Sequence, residues 1–451
     1  MCAVVCGFFV LAACDDFNRS LEDDIDFYRS VTPVSSWAEL KSAAEGTAGP
    51  GLIGLAGDIE LDSAATTINI TRPLTVTAFE GRRVVRRGAA FTADPLFRVD
   101  AGGGLTLGHS QGGTLVLDGG AGGIQANAPL VSVGTGGALT LQDGAVLQNN
   151  DNNAASGGGV YVANGSFEMK GGTISGNSGS GDRGGGVYVI GVGGSGFQMK
   201  GGTISGNSSE YGSGVYFNSG SVFTMTGGTI SGNAASREGG GVYAANGSFE
   251  MNGGTISNNS SNSGGGVYFN SGSVFTMTGG TIGGNSAPFH GGGVYASGSF
   301  EMSGGTIGGN SAGYYGGGVY VSGSFEMSGG TIGGNSAGYY GGGVFLSGIG
   351  VFTMNGGTIG SNIANNSGGG VYVGDSGSFK KEPETAGGAS GVIYGSGEGG
   401  NSNLVKDGSG SPVDDKGHAV YVNNGPKKRD NTAGPGVTLD STVSGPSGGW
   451  E

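Results

Sequence analysis

Residues 157–177 read GGGVYVANGSFEMKGGTISGN, and close copies of this stretch follow one another along the middle of the chain. Each copy closes on an asparagine, and successive closing asparagines are roughly 25 to 30 residues apart. They are Asn177, Asn207, Asn233, Asn259, Asn285, Asn310, Asn335 and Asn362. A period of that length is typical of a solenoid, whose repeats bury their apolar faces only against their neighbours.

Three short apolar runs recur within the copies: GVYV, SFEM and GTI, separated by Gly, Ser and Asn. Each run is long enough for a strand of about three or four residues. Three strands in a coil of about 25 residues predict an all-β fold, a single-stranded right-handed parallel β-helix. A β-propeller fits less well, because each of its blades needs four strands in roughly 40 residues.

Alternation along the strands assigns their side chains to two faces. The apolar residues on either side of the tyrosine in GVYV are predicted to point inward, as are the Phe and Met of SFEM. The tyrosine then points outward and stacks in a column with a spacing of about 4.8 Å. This candidate binding strip contains Tyr161, Tyr188, Tyr216, Tyr243, Tyr268, Tyr295, Tyr320 and Tyr372, with Phe345 at the equivalent position. Such a strip suits sugar rings or protein partners, and the alternative is that the stacked rings only stabilise neighbouring coils.

The closing asparagines are predicted to form a structural ladder inside the solenoid. An amide side chain carries two N–H donors and a carbonyl acceptor, so stacked asparagines satisfy one another and the turn backbone. This prediction covers the eight positions from Asn177 to Asn362.

The residues just after each closing asparagine vary more than the rest of the repeat. Solenoids place their variation in the loops of one face, which favours a recognition surface at this variable edge. Drift of unconstrained turns would produce the same variation. The candidate contact residues are Tyr211, Phe289, Tyr314, Tyr315, Tyr339 and Tyr340.

A polysaccharide-active enzyme, a lyase or a glycosidase, is the alternative from another functional class. Glu301 and Glu326 occupy the same outward position of adjacent coils, about 5 Å apart, which is near the spacing in retaining glycosidases. Any outward Glu repeated in consecutive coils gives that spacing, so we interpret the pair as a solvated column and predict no catalytic residue. His290 is interpreted as a loop residue. The sequence predicts no metal ligands and no cofactor.

Composition narrows the range of partners. The 451 residues include 108 Gly and only 12% charged residues, which indicates an ordered repeat of low charge. The net charge of −14 argues against nucleic acid as a partner. The basic cluster GRRVVRRG at 81–88 is predicted as a strand that alternates Arg with Val, and contact with anionic glycan or lipid headgroups is the alternative. We expect a monomer.

Residues 1–14 are predicted to be a lipoprotein-type signal peptide. Their apolar run is too short to span a bilayer. The sequence Leu-Ala-Ala-Cys at 11–14 resembles the bacterial lipobox, which implies lipidation of Cys14 and anchoring in a membrane. A plain secretory signal and a chance match are the alternatives.

Further divisions follow along the chain. Residues 15–35 are a predicted acidic tether, and 36–56 a predicted cap whose short helix starts at Ser36 with a capping box to Glu39. The remaining divisions are degenerate coils at 57–149, regular repeats at 150–380, and irregular coils with a C-terminal cap at 381–451.

The GGTISGN and GGGVYV coils resemble those of bacterial repetitive surface lipoproteins and adhesin-like proteins with right-handed parallel β-helices. More distantly they resemble chlamydial-type polymorphic outer membrane proteins, whose repeats carry GGAI and FxxN motifs where this chain has GGTI and no regular FxxN. The resemblance covers about residues 57 to 445. It implies a lipid-anchored position at the cell surface or the outer membrane, its periplasmic face included, and attachment to a host or matrix protein or glycan. The expected function is a non-catalytic, adhesin-like interaction scaffold.

Overall fold

The chain is a parallel β-solenoid of about 12 turns, with 4% of its residues helical. This confirms the all-β, parallel β-helical fold that the repeat predicts. The computed structural model describes residues 26–49, 51–62, 64–120, 124–153, 157–191, 196–381, 392–394, 402–406, 411, 419–422 and 449–450. Cys14 and most of the predicted tether lie outside the described residues.

The GVYV runs pair in parallel and in register, and we call their stack the VYV ladder. Tyr161 aligns with Tyr188, and Tyr188 with Tyr216, so like residues stack on like. Its strands are Ile68–Ile70, Phe97–Val99, Val131–Val133, Val160–Ala163, Val187–Ile190, Val215–Asn218, Val242–Ala244, Val267–Phe269, Val294–Ala296, Val319–Val321, Val344–Leu346, Val371–Val373 and Val420–Val422. Gly449–Trp450 adds an antiparallel strand to the last of these.

The SFEM and GTI runs form two further ladders within one large parallel sheet. The SFEM ladder contains Thr32–Val34, Leu52–Leu55, Pro73–Ala78, Gly104–Leu107, Ala138–Leu141, Ser166–Met169, Gly196–Met199, Ser221–Met225, Gly247–Met251, Val274–Met277, Ser299–Met302 and Ser378–Lys381. The GTI ladder contains Ile59–Glu60, Arg82–Arg86, Thr114–Asp118, Ala145–Gln148, Thr173–Ser175, Thr203–Ser205, Thr229–Ser231, Thr255–Ser257, Thr281–Gly283, Thr306–Gly308 and Val392–Ile393. Strands Ser324–Gly333 and Val351–Gly360 run through both ladders. A glycine with positive φ turns the chain between them: at Gly202 (φ +80°) a Cβ would lie 2.6 Å from Met169 Cε.

The structure adds a fourth short strand to the three predicted for each coil. It follows the closing asparagine directly, and we call its stack the edge ladder. Its strands are Gln125–Ala126, Asp151–Asn152, Ser178–Arg183, Ser208–Tyr211, Ala234–Glu238, Ser286–Ala287, Ser311–Ala312, Ser336–Ala337, Ile363–Ala364 and Leu404–Val405. Bridges at Ser260 join the two halves of the ladder. The variable edge is therefore paired backbone where the sequence predicts only turns, because Ser, Ala and Gly there give no apolar alternation to reveal a strand.

A single narrow core runs along the solenoid. The Phe residues of the SFEM ladder, from Phe167 to Phe352, stack with ring centroids 4.5–4.8 Å apart and planes within 9° of parallel. The Met residues of the same strands and the Ile residues of the GTI ladder are buried with them. The predicted inward face of these strands is thus confirmed.

The asparagine ladder is present at all eight predicted positions. Asn233 shows the pattern: its Nδ2 donates to Ile204 O at 3.0 Å and to Asn259 Oδ1 at 2.9 Å. The Asn233 backbone N–H also donates to Asn259 Oδ1, at 3.0 Å. The ladder extends by one residue beyond each end of the predicted set, to Asn150 and Asn403.

The predicted capping helix spans Trp37–Glu45. The backbone N–H of Glu39 donates to Ser36 Oγ, as the capping box predicts, but the Glu39 carboxylate accepts from the backbone N–H of Ser35 instead of Ser36. Trp37 and Leu40 are buried in the core. The helix therefore contributes apolar cover at the N-terminal end of the described solenoid.

The basic cluster does not follow the predicted alternation of Arg and Val, because the adjacent Val84 and Val85 are both buried. Strand Arg82–Arg86 lies in the GTI ladder, but the Arg87 side chain is fully buried. Its guanidinium donates to the carbonyl oxygens of Phe91, Asp94 and Pro129. Burial lowers the pKa of Arg87 to about 10, so it stays charged at neutral pH and has a structural role in fixing this loop.

Candidate functional site

Two adjacent columns run along the edge ladder. The cover column consists of Arg183, Tyr211, Glu238, Ser263, His290, Tyr315, Tyr340 and Ser367, which pair in register. The outer column consists of the preceding residues Glu210, Arg237, Asn262, Phe289, Tyr314, Tyr339 and Asn366. From Phe289 to Asn366, each backbone N–H of the outer column donates to the carbonyl of the previous member at 2.9–3.1 Å. The most variable part of the repeat is therefore held in a regular lattice.

The tyrosines predicted as a binding strip form what we call the inner Tyr column. It lies outside the Phe core, and neighbouring ring centroids are 4.6–5.4 Å apart. Its buried members are Tyr188, Tyr216, Tyr243, Tyr268 and Tyr372, and its half-buried members are Tyr161, Tyr295 and Tyr320. Tyr216 is only 3% exposed. The expected solvent-facing strip is therefore wrong, because cover-column side chains and neighbouring rings pack against these tyrosines.

Burial changes the acid–base chemistry of the inner Tyr column. It raises the pKa of Tyr243 and of Tyr320 to about 12, and it also raises the pKa values of Tyr268 and Tyr372. The Asn270 Nδ2 donates to the Tyr243 hydroxyl oxygen at 2.9 Å. These phenols are neutral at physiological pH and act as buried packing groups.

At residues 289–340 the edge is aromatic, and we call this the aromatic half. The His290 ring stacks on Tyr315 at 5.0 Å and on Tyr320 of the inner column at 4.9 Å. Tyr315 in turn stacks on Phe345 at 4.7 Å. Burial lowers the pKa of His290, which keeps its imidazole neutral within the stack.

Three rings of the aromatic half face solvent. Phe289 is 43% exposed, Tyr314 41% and Tyr339 46%. Their centroids are 5.7 Å apart between Phe289 and Tyr314 and 5.4 Å apart between Tyr314 and Tyr339. These three residues, which we call the aromatic row, form a continuous exposed surface on a rigid support.

At residues 183–238 the same two columns carry charges, and we call this the charged half. Beside it lies a groove of about 620 Å³ between the edge ladder and the VYV ladder. Its lining residues are Arg183, Glu210, Tyr211, Tyr216, Asn218, Arg237, Glu238, Tyr243, Ala245 and Asn270. Where the aromatic half has rings, this half has a cleft with polar walls.

The charges of the groove interact with one another and with its rings. Arg237 Nε lies 3.0 Å from Glu210 Oε2, and the Arg237 guanidinium lies 5.8 Å from the centre of the Tyr211 ring. Burial raises the pKa of the Glu238 carboxyl, an effect that the positive charge of Arg237 partly offsets. A half-buried carboxylate, guanidinium groups and phenols thus converge within one groove.

The structure shows which edge residues the sequence prediction missed. Asn262 and Ser263 occupy the two columns, as do Asn366 and Ser367 at the C-terminal end, and none of these four was a candidate contact residue. Glu238 belongs to the variable edge that the sequence predicts, but it was not among the candidate contact residues, because a lone Glu in a turn carries no signal of the groove. The period of the repeat places it at the same edge as Tyr211.

The other candidates remain apart from this site. Glu301 and Glu326 align in register on the exposed face of the SFEM ladder, away from the groove. Glu326 Oε1 accepts a hydrogen bond from Asn355 Nδ2 at 2.8 Å. This arrangement agrees with the interpretation as a solvated column.

Within the described part of the chain, no group of three or more His, Cys, Asp or Glu side chains is arranged to hold a metal ion. No helix in that part combines the length and apolar character needed to cross a membrane. Comparison of the chain with protein-family models, with curated proteins and with solved structures finds no match.

Proposed function

We propose that this protein is a non-catalytic interaction scaffold, an adhesin-like lipoprotein held at the cell surface or outer membrane through a lipidated Cys14. Its partner is a host or matrix protein or a glycan. The observation that carries the proposal is the aromatic row of Phe289, Tyr314 and Tyr339, three neighbouring exposed rings on a rigid edge.

Physical chemistry supports a contact role for this row. Rings of this size are costly to leave in water, and rigid aromatic side chains lose little conformational entropy when a partner covers them. The rings behind them, His290 and Tyr315, are packed against the inner Tyr column. The aromatic row therefore has its geometry without a bound ligand. Exposed rings on a preorganised support are typical of a binding surface.

The test is binding of the full chain to arrays of glycans and of extracellular-matrix proteins. The triple variant Phe289→Ser, Tyr314→Ser, Tyr339→Ser should reduce binding at least about tenfold, since each ring contributes more than 1 kcal/mol when buried. The lipid anchor is tested separately by Cys14→Ser, which should release the chain from the membrane fraction.

The matched control replaces three equally exposed valines in one column of the SFEM ladder, Val222, Val274 and Val351, by serine. These residues are 40%, 40% and 44% exposed. Binding should be unchanged in this control. Equal losses in both variants, or no loss in the aromatic variant, would reject the aromatic row as the contact surface.

One observation favours a second candidate function, a polysaccharide lyase or glycosidase. Glu238 has a raised pKa and lies beside Arg237 in the groove, a combination common in active sites. Incubation with a polysaccharide panel, with new reducing ends and unsaturated uronate products as readouts, tests it. Turnover by the unaltered chain that is lost in the Glu238→Gln variant would identify the protein as an enzyme and reject the scaffold proposal.

A further inference from the structure

The groove of the charged half is a second surface, separate from the aromatic row. Its residues lie at 183–270, whereas the aromatic row begins at Phe289. It exists because Glu238 and Ser263 stand in the cover column where Tyr315 and Tyr340 stand further along. The groove therefore lies beside the part of the cover column that carries no ring between Tyr211 and His290.

The size of the groove suits a small ligand. Its volume of about 620 Å³ lies within the range of roughly 300–1,000 Å³ for ligand sites. One side is formed by Tyr216 and Tyr243 of the inner Tyr column and the other by residues of the edge ladder. Both sides are held by backbone ladders, so the cleft is preorganised.

The groups lining the groove recognise hydroxyls better than charges. The described lining includes two arginines and two glutamates, so neither sign is in excess. Arg237 is already paired with Glu210, and an anion would meet the carboxylate of Glu238. Planar carboxylate, guanidinium and amide groups offer paired donors and acceptors that match neighbouring hydroxyls on a sugar ring.

The rings supply the remaining part of a carbohydrate site. Tyr211 packs edge-on against Tyr243 with centroids 5.4 Å apart, which places an aromatic surface beside the polar groups. The apolar C–H face of a pyranose packs on such a ring while its hydroxyls reach the charged groups. We propose that this groove binds a short neutral oligosaccharide.

The experiment uses the full chain and calorimetric titration with short neutral oligomers of glucose, galactose, mannose and N-acetylglucosamine. Uronic acid oligomers of matched length are the charged probes. Saturable binding of at least one neutral oligomer is expected, with about tenfold weaker binding in Glu238→Gln and in Arg237→Gln. Tyr211→Phe, which keeps the ring, should bind, and Tyr211→Ser should not.

The control is Glu301→Gln, which removes an exposed carboxylate from the SFEM ladder and should not change binding. All variants must keep the thermal unfolding midpoint of the unaltered chain, which separates a lost site from a lost fold. Absence of binding to every neutral oligomer, preference for the uronic acid oligomers, or equal binding by Glu238→Gln would overturn the inference. The aromatic-row variants leave the groove intact, so failure here and failure of the proposed function are distinguishable.

Discussion

The charged half and the aromatic half of the edge occupy the same backbone lattice but present opposite chemistry. Both halves lie over the inner Tyr column, and both place successive residues in the same cover and outer columns. In the charged half these positions hold Tyr211, Arg237 and Glu238 around a groove. In the aromatic half they hold rings that cover the inner column.

The difference shows that the scaffold and the surface are separable in this protein. Backbone pairing and the buried Phe and Asn ladders fix the position of each edge residue whatever its side chain. The edge side chains contribute little to the core, so they are free to differ from coil to coil. A binding surface can therefore change without a change in fold.

The largest loss of stability is expected from substitutions in the inner Tyr column. They should cost the same beneath the charged half and beneath the aromatic half. Tyr216→Ala under the charged half and Tyr372→Ala under the aromatic half should each cost about 3–5 kcal/mol, because both rings are buried and leave a cavity. Urea denaturation measures the free energy of unfolding. Tyr314→Ala is the exposed control and should stay within about 0.5 kcal/mol. A Tyr216→Ala variant as stable as the control would show that the column has no structural role.

A smaller change in stability is expected when tyrosines, as in the aromatic half, replace charged residues of the charged half. In the double variant Arg237→Tyr, Glu238→Tyr, the new ring at position 238 lies next to Tyr211 in the cover column, and each new ring pair should raise stability by about 0.5–1.5 kcal/mol. The double variant should also fill the groove and abolish oligosaccharide binding. Thermal unfolding and the calorimetric titration measure the two results. A destabilised but folded variant would mean that the charged half is needed for local structure.

The smallest expected effect is a pH dependence of stability that arises from His290 in the aromatic half. Burial lowers the pKa of His290 below its ordinary value of about 6.5, so the folded state binds the proton less readily than the unfolded state. Its contribution to stability is present above about pH 6.5 and is lost as the pH falls through the folded pKa.

A comparison of the unaltered chain with the His290→Phe variant isolates this pH dependence of stability. Unfolding midpoints measured from neutral to mildly acidic pH should fall more for the unaltered chain, since Phe keeps the stack on Tyr315 and Tyr320 without a proton to bind. Parallel curves for the two proteins would assign the acid sensitivity to other groups.

Much of the fold was predictable because every coil repeats the same alternation. Residues such as Val160 and Phe167 stand in apolar positions in all regular copies, which fixes the inward face. The closing asparagines were assigned inside for a comparable reason, since an invariant amide at a coil corner has few roles other than a ladder. The edge strand was not predictable, because two residues of Ser and Ala carry no periodic signal.

The candidate site was less predictable than the fold. Alternation correctly places Tyr216 on the side opposite to Val215, but it cannot show that Arg183, from an edge strand earlier in the chain, packs over the Tyr216 ring. His290 was interpreted as an isolated loop residue, and in the structure its ring stacks on two tyrosines of the next coil. Glu238 acquires its setting from Arg237 beside it and from groove residues about one coil away.

The sequence by itself determined the solenoid, its period, the inward Phe, Met and Ile residues and the asparagine ladder, because these depend on patterns within one repeat. The tertiary structure alone decided what is exposed. Exposure depends on contacts between different coils and between the edge and VYV ladders, and a side chain that points away from one core can still be buried against another element. For this reason the contact surfaces that we propose lie at Phe289, Tyr314, Tyr339 and the groove of Glu238, outside the tyrosine column that the repeat itself predicts.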